Sequence, residues 1–260
     1  MGQALKAVFA SGETHSQESQ ATYPGGVMWM KTTLVPMRDE EGRVLAVFGV
    51  TRDLTDRKRA EEAVVRSSKR LEGVLRSVVQ TMGKVVEARD PYTQGHEKGV
   101  ATIATLIATE LGLPEDEVDG VEVAALVHDV GKLTVPAEIL PKLGRLSDTE
   151  FSLIEEHSHA GYDILKDIDF DWPVADIVLQ HHQRMDGSGY PNGLLGDKIS
   201  MAARILMLAD VVRAMAAHRP HRPALGLDTA IVEITGHPEQ VDPQVVAACV
   251  RLYEAGRIEL

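Results

Sequence analysis

From about residue 86 onward, apolar residues recur three and four apart in run after run, the spacing of helices that each bury one face. Ala101–Leu111, Glu122–Val130, Thr149–Leu165, Val174–His182, Ala202–Ala217 and Pro243–Tyr253 all carry it. Loops rich in Gly and Pro part these runs, notably Asp186-Gly187-Ser188-Gly189-Tyr190-Pro191-Asn192-Gly193. Strand signals are scarce here. The expectation is a mainly α chain whose larger part is an all-helical domain.

His96, His128-Asp129, His157, His181-His182 and Asp210 each fall on or at the end of a separate predicted helix. Taken singly, none is informative, because an isolated histidine is more often an ordinary partly buried side chain. Together, five imidazoles and two carboxylates from five helices can surround two metal ions. The mixture suits Fe, Mn, Zn, Co or Ni rather than Ca. Adjacent helical residues point about 100° apart, so His128 and Asp129 can serve neighbouring positions, with Asp129 bridging. Two ions about 3.5–4 Å apart can share a hydroxide nucleophile and stabilise the departing oxygen of a phosphodiester.

Charge narrows the partners. With 27 Lys+Arg against 39 Asp+Glu the formal charge is −12, which excludes a general binder of nucleic-acid backbone but not a small phosphate held by metal. The single cysteine, Cys249, excludes an intramolecular disulfide and a Cys-based zinc site. Ile199–Ala217, the longest weakly polar stretch, is interrupted by Arg204, Asp210 and Arg213 and reads as a buried helix, not a membrane span. No signal peptide is evident, and Lys6 stands where a myristoylation signal wants Ser or Thr. The reading is a cytoplasmic protein without a membrane partner.

The first 55 residues differ. Val27–Pro36 and Val44–Val50 are β-rich and flank the turn Asp39-Glu40-Glu41-Gly42-Arg43, a hairpin signal; Thr14–Thr22 is a further strand or a loop. Arg57 then opens a helical stretch reaching roughly Arg89. Val64, Ser68, Leu71, Leu75, Val78, Met82 and Val85 alternate in steps of four and three, the seam of a coiled coil, so a homodimer through residues 56–85 is one reading. One amphipathic helix packing on its own domain is the other.

His128-Asp129-Val130-Gly131-Lys132 followed by His181-His182-Gln183-Arg184-Met185-Asp186-Gly187-Ser188-Gly189-Tyr190-Pro191 resembles the HD-GYP family of cyclic di-GMP phosphodiesterases. Arg89–His96, Val135–Leu140 and Ala203-Arg204-Ile205 leading to Asp210 support the match, which covers about residues 80 to 250. The resemblance implies a helical HD-superfamily phosphohydrolase domain that linearises cyclic di-GMP to pGpG, and onward to GMP in some members. It implies one metal on His96, His128, Asp129 and Asp210, and a second on Asp129, His157, His181 and His182, iron or manganese before zinc, cobalt or nickel. Lys132, three residues past Asp129, would bind the scissile phosphate; Tyr190, Arg219 and Arg222 match positions that contact the dinucleotide. Tyr92 stands where some members place a Glu for a third metal. A diguanylate cyclase partner at the Gly189-Tyr190-Pro191 loop is also implied. Gly49–Glu62 resembles the end of a PAS sensor domain and its outgoing helix, with the first strands of a complete PAS domain missing. The expected organisation is a partial PAS-like sensor over 1–55, a helical linker over 56–85 and the phosphodiesterase domain over 86–260.

Four positions depart from the family pattern. Gly99 replaces an Arg three residues after the first His, Arg213 an Asp three residues after the metal-binding one, His221 a Tyr, and Val241 a Phe. None removes a metal ligand or Lys132. An Asp-to-Arg exchange turns an acceptor into a donor, so two rival readings follow. One is a nucleotide-sensing module without hydrolysis; the other is a hydrolase of another cyclic dinucleotide, such as cyclic GMP-AMP.

Overall fold

The computed structural model describes residues 2–24, 26–89, 95–142, 144–216 and 225–258. They form two compact units, residues 1–74 and 75–260.

In the first unit, helix α1 (Gly2–Ser11) precedes strands β1 (His15–Tyr23), β2 (Gly26–Arg38) and β3 (Val44–Asp53). The strands make an antiparallel sheet in the order β1-β2-β3. The β2–β3 turn is the one expected. Gly42 adopts φ +80°, and Asp39 Oδ1 accepts from Arg43 N at 2.8 Å. The stretch left open as strand or loop is β1. Pro36 lies beyond Leu34, the last β2 residue paired with β1, so its missing N–H falls where β2 has one neighbour only. Among the described residues of this unit, Val8 and Leu34 are the buried apolar ones. Helix α2 (Thr55–Arg89) is tied at its start to β2, where Thr55 Oγ1 accepts from Trp29 N at 2.9 Å.

Among the described residues the regular elements of the second unit are all helical. After the last turns of α2 come α3 (His96–Glu110), α4 (Glu115–Val127), α5 (Asp148–Glu155), α6 (His157–Leu165), α7 (Val174–Gln180), α8 (Met201–Ala216), α9 (Leu227–Gly236) and α10 (Pro243–Glu254). Its core is one continuous apolar cluster, with Ile103, Ile107, Leu165, Ile205, Leu206, Leu208 and Leu252 fully buried. On α2, Val79, Met82 and Val86 face that core, whereas Val64, Leu71, Leu75, Val78 and Val85 are exposed. The heptad seam is thus divided: Met82 packs inward and its neighbours face solvent.

Two expectations need correction. The run Thr149–Leu165 is not one helix but α5 and α6, broken at Glu156. Nor do His128 and Asp129 continue one helix. α4 ends at Val127 with His128 as its cap, and Asp129 (φ −92°, ψ 5°) opens a 3-10 turn over Val130–Thr134. Apolar spacing records the buried face and is blind to a change of helical pitch along it. Helix α9 lay outside the predicted set.

A buried ion pair pins the core's edge. Arg204 on α8 donates to Asp242 Oδ2 at 2.8 Å, and Asp242 Oδ1 caps α10 by accepting from Gln244 N at 2.8 Å. Its side chains are 10% and 6% exposed, so the Asp242 charge depends on Arg204, which also reaches the exposed Asp197 at 3.3 Å.

Candidate metal centre

Three of the predicted ligands sit just where a helix runs out. His128 follows α4, His157 follows the break after α5, and His181 follows α7. The last carbonyls of a helix lack intrahelical donors, and each imidazole supplies one. His128 Nδ1 meets Ala125 O at 2.7 Å, His157 Nδ1 meets Ile154 O at 2.6 Å, and His181 Nδ1 meets Val178 O at 2.5 Å. A carbonyl only accepts, so each Nδ1 carries the proton and each Nε2 presents a lone pair.

Those lone pairs converge. His157 Nε2 lies 3.3 Å from His181 Nε2, and His128 Nε2 lies 3.4 Å from Asp129 Oδ2. His128 Nε2 is buried without a hydrogen-bond partner. Asp129 divides its carboxylate, with Oδ2 toward His128 and Oδ1 3.6 Å from His157 Nε2. Two groups follow: His96, His128 and Asp129 on one side, and His157, His181 and His182 on the other. Asp210 of α8 joins the first group through His96, whose Nε2 lies 3.0 Å from its Oδ1. The structure therefore brings together all seven residues singled out as ligands.

Electrostatics match the geometry. Burial, reinforced by neighbouring imidazoles, holds His181 well below its ordinary pKa and His182 down to about 3; burial likewise lowers His157. All three are neutral, the state that binds metal. Burial pushes Asp129 up, but electrostatic attraction to the surrounding imidazoles and to the Lys132 ammonium outweighs it, and its carboxyl stays well below the usual range. Asp210 is likewise held down, by the His96 bond against burial. Acceptors facing acceptors in a buried space repel unless a cation stands among them. The donor set suits a divalent ion of the first transition row, and carboxylate plus imidazole without thiolate points away from a soft one.

Lys132 reaches the centre because the chain is 3-10 there. Side chains three apart eclipse in that helix, and Lys132 Nζ donates to Asp129 Oδ2 at 2.6 Å. Gly131 makes the approach to α6 feasible. A Cβ there would collide with His157 O and lie 2.5 Å from Gly161 N, both fixed backbone atoms.

The Asp186–Pro191 loop folds back over the second group. Asp186 Oδ1 accepts from Ser188 N at 2.9 Å, and Tyr190 N donates to His182 O at 3.2 Å. The Tyr190 ring lies 4.7 Å from that of His182, tilted by 37°. Beside them opens a cavity of about 260 Å³, with Phe151, Glu155, Arg184 and Tyr190 in its lining. Phe151 stands edge-on to Tyr190, with ring centroids 6.4 Å apart, and is 47% exposed. Sequence reasoning missed Phe151, Glu155 and Arg184. The signal for Phe151 was its place on the outer face of α5, where burial gives an aromatic no reason to be. Arg219, Arg222, His221 and Tyr92 lie outside the described residues.

Comparison with known proteins follows the same outline. Residues 80–245 match the HD domain family and residues 2–59 the PAS fold family. Over 203 residues the chain is 35% identical to the cyclic di-GMP phosphodiesterase response regulator RpfG of Xanthomonas campestris, a match covering 77% of this chain and 53% of that protein. It is 38% identical over 176 residues to 3'3'-cGAMP-specific phosphodiesterase 3 of Vibrio cholerae, covering 67% of this chain and 38% of that one. The chain thus spans about half, or less, of the length of these relatives. A crystal structure of a cyclic GMP-AMP specific phosphodiesterase from V. cholerae superposes with TM-score 0.53 at 18% identity, over 69% of this chain and 49% of the other, a likeness of fold. Among the described residues no helix is long and apolar enough to cross a membrane.

Proposed function

Because the chain belongs to the HD domain family, we propose that residues 75–260 form a metal-dependent phosphodiesterase that linearises cyclic di-GMP to pGpG. The observation that carries this reading is the pair of buried acceptor contacts flanking Asp129, His157 Nε2 to His181 Nε2 at 3.3 Å and His128 Nε2 to Asp129 Oδ2 at 3.4 Å. His96, His128, Asp129 and Asp210 would hold one ion, and His157, His181 and His182 the other, with Asp129 shared. Bound there, two divalent ions, iron or manganese first, would supply Lewis acidity and a water of lowered pKa.

The remaining work falls to side chains. Lys132, 2.6 Å from Asp129 Oδ2, is placed to meet the scissile phosphate at the edge of the centre and to stabilise the charge that develops on it. Tyr190 and Phe151 line the cavity beside His182 and offer ring faces to a base. Nδ1–H bonds at His128, His157 and His181 keep the ligand nitrogens turned inward without a further proton partner. The exposed Val64, Leu71 and Leu75 of α2 would pair with a second copy, making the helix a dimeric connector.

A second reading, hydrolysis of 3'3'-cGAMP, is favoured by the 38% identity to a phosphodiesterase of that name. Anaerobically purified protein, assayed for metal and then for products from both cyclic dinucleotides, tests the two together. Turnover of cyclic di-GMP at the higher kcat/KM supports the first and the reverse supports the second. No turnover of either, with His128→Ala/Asp129→Ala indistinguishable from the parent, would sink both.

A further inference from the structure

Two departures from the family pattern, Gly99 and Arg213, meet in space. Gly99 lies on α3 three residues after His96, and Arg213 lies on α8 three residues after Asp210. Residues three apart share a helix face, so the Gly99–Arg213 contact repeats, one turn along, the His96–Asp210 contact. A Cβ at position 99 would collide with Arg213 Nε and lie 2.6 Å from its Cδ and 2.9 Å from its Cζ. The stem of Arg213 therefore occupies the space that any side chain at position 99 would need. Arg213 Nε is buried there without a hydrogen-bond partner. Nor does Arg213 line the cavity beside His182.

We propose that Arg213 is a positioning residue, its stem seated over Gly99 as a spacer that sets α3 against α8 and so holds His96 Nε2 at 3.0 Å from Asp210 Oδ1. The two departures are one coupled feature: a large residue on α8 takes the volume vacated on α3. An unsatisfied buried donor is normally selected against, so the packing of the stem outweighs the cost of Nε. This inference rests on the metal reading above only for its consequence, since the contact itself needs no ion.

The test uses the whole chain and four variants: Gly99→Ala, Arg213→Ala, Gly99→Ala/Arg213→Ala and Arg213→Met. Two quantities are read. In the metal-free protein, long-range proton–nitrogen NMR reports the His96 Nε2 hydrogen bond to Asp210. In the second, Mn²⁺ alone is titrated and followed by electron paramagnetic resonance, with circular dichroism as the check on folding. Arg213→Ala is expected to lose the His96 signal and to bind Mn²⁺ about tenfold more weakly, the size of an outer-shell effect, with unchanged helicity. Arg213→Met, which keeps the stem without the charge, is expected to retain both. Gly99→Ala is expected to lose both, and the double variant to regain part.

Parental behaviour of Arg213→Ala in both measurements would overturn the proposal, as would Arg213→Met behaving like Arg213→Ala. Equal impairment of Gly99→Ala and the double variant would do the same. If Gly99→Ala does not fold, the two single Arg213 variants decide. Parent protein that binds no Mn²⁺ would defeat the metal reading instead, leaving the His96 signal to judge the spacer.

Discussion

Lys132 Nζ donates to Asp129 Oδ2 at 2.6 Å, while Asp129 Oδ1 lies 3.6 Å from His157 Nε2, so the ammonium is held by the carboxylate that stands between the two histidine groups. Under the proposed function this ammonium would meet the scissile phosphate. Lys132→Met is expected to lower kcat for cyclic di-GMP about 10²–10³-fold, the effect of removing one preorganised donor. Metal content should stay close to parental, since no ligand is removed. Elemental analysis beside steady-state kinetics checks both, and loss of metal in this variant would assign Lys132 to the ligand shell's integrity rather than to the substrate.

Gly131→Ala should be far more damaging than its one methyl suggests. The new Cβ meets His157 O and Gly161 N, and neither can swing away as a side chain tip would. Forced separation of the 3-10 turn from α6 would draw Asp129 off His157. A loss of about 3 kcal/mol in urea unfolding, at the upper end of overpacking costs, is expected together with reduced metal uptake.

These two residues show where sequence was a sufficient guide and where it was not. The seven residues that the structure gathers were legible as an ensemble, five imidazoles and two carboxylates spread over separate predicted helical segments. Their joining was also legible, in outline, as a helical domain. The pitch change at Asp129 was not, since 3-10 and α helices bury the same kinds of residue, and the contact with Lys132 depends on it. Gly99 and Arg213 were each visible as anomalies, yet nothing in a linear reading pairs positions on α3 and α8. Helix α9 lacked a signal because Ala230 and Ile234 are its only buried residues.

Phe151→Ala is expected to separate base recognition from chemistry. Loss of a stacking ring costs about 1–3 kcal/mol per base, so kcat/KM for cyclic di-GMP should fall roughly five- to 150-fold. Hydrolysis of bis(p-nitrophenyl) phosphate, which has no nucleobase, should be unchanged. Equal losses on both substrates would remove Phe151 from the base pocket.

Asp242→Ala strips a cap from α10 and takes the buried carboxylate from the Arg204 guanidinium, leaving it the exposed Asp197 at 3.3 Å. Breaking such a pair from one side costs about 3–5 kcal/mol. Arg204→Met/Asp242→Ala should be less destabilised than Asp242→Ala alone, because no lone charge remains buried. Chemical denaturation of the three proteins gives the comparison.

Burial pushes the Cys249 thiol up to about 11. The folded chain therefore holds this proton more tightly than the unfolded one, and stability falls as pH rises above the ordinary thiol range toward 11. Relative to Cys249→Ala, the parent should lose on the order of 2–3 kcal/mol across that interval. At pH 8 the thiol should resist iodoacetamide until denaturant is added. Rapid alkylation of native protein would contradict the burial described.

Three histidines that each close a helix end and at the same time aim a lone pair leave little room for change in segment length. One residue inserted into α4, α5 or α7 would turn the following imidazole by about 100° and shift it by about 1.5 Å, and would move its carbonyl anchor with it. The reading frame of these helices is thereby locked to the centre, as the tooth count of a gear is locked to its mate. Length variation among relatives should collect instead in connections such as residues 167–173, and an alignment gap inside α7 would mark a chain that has given up the site.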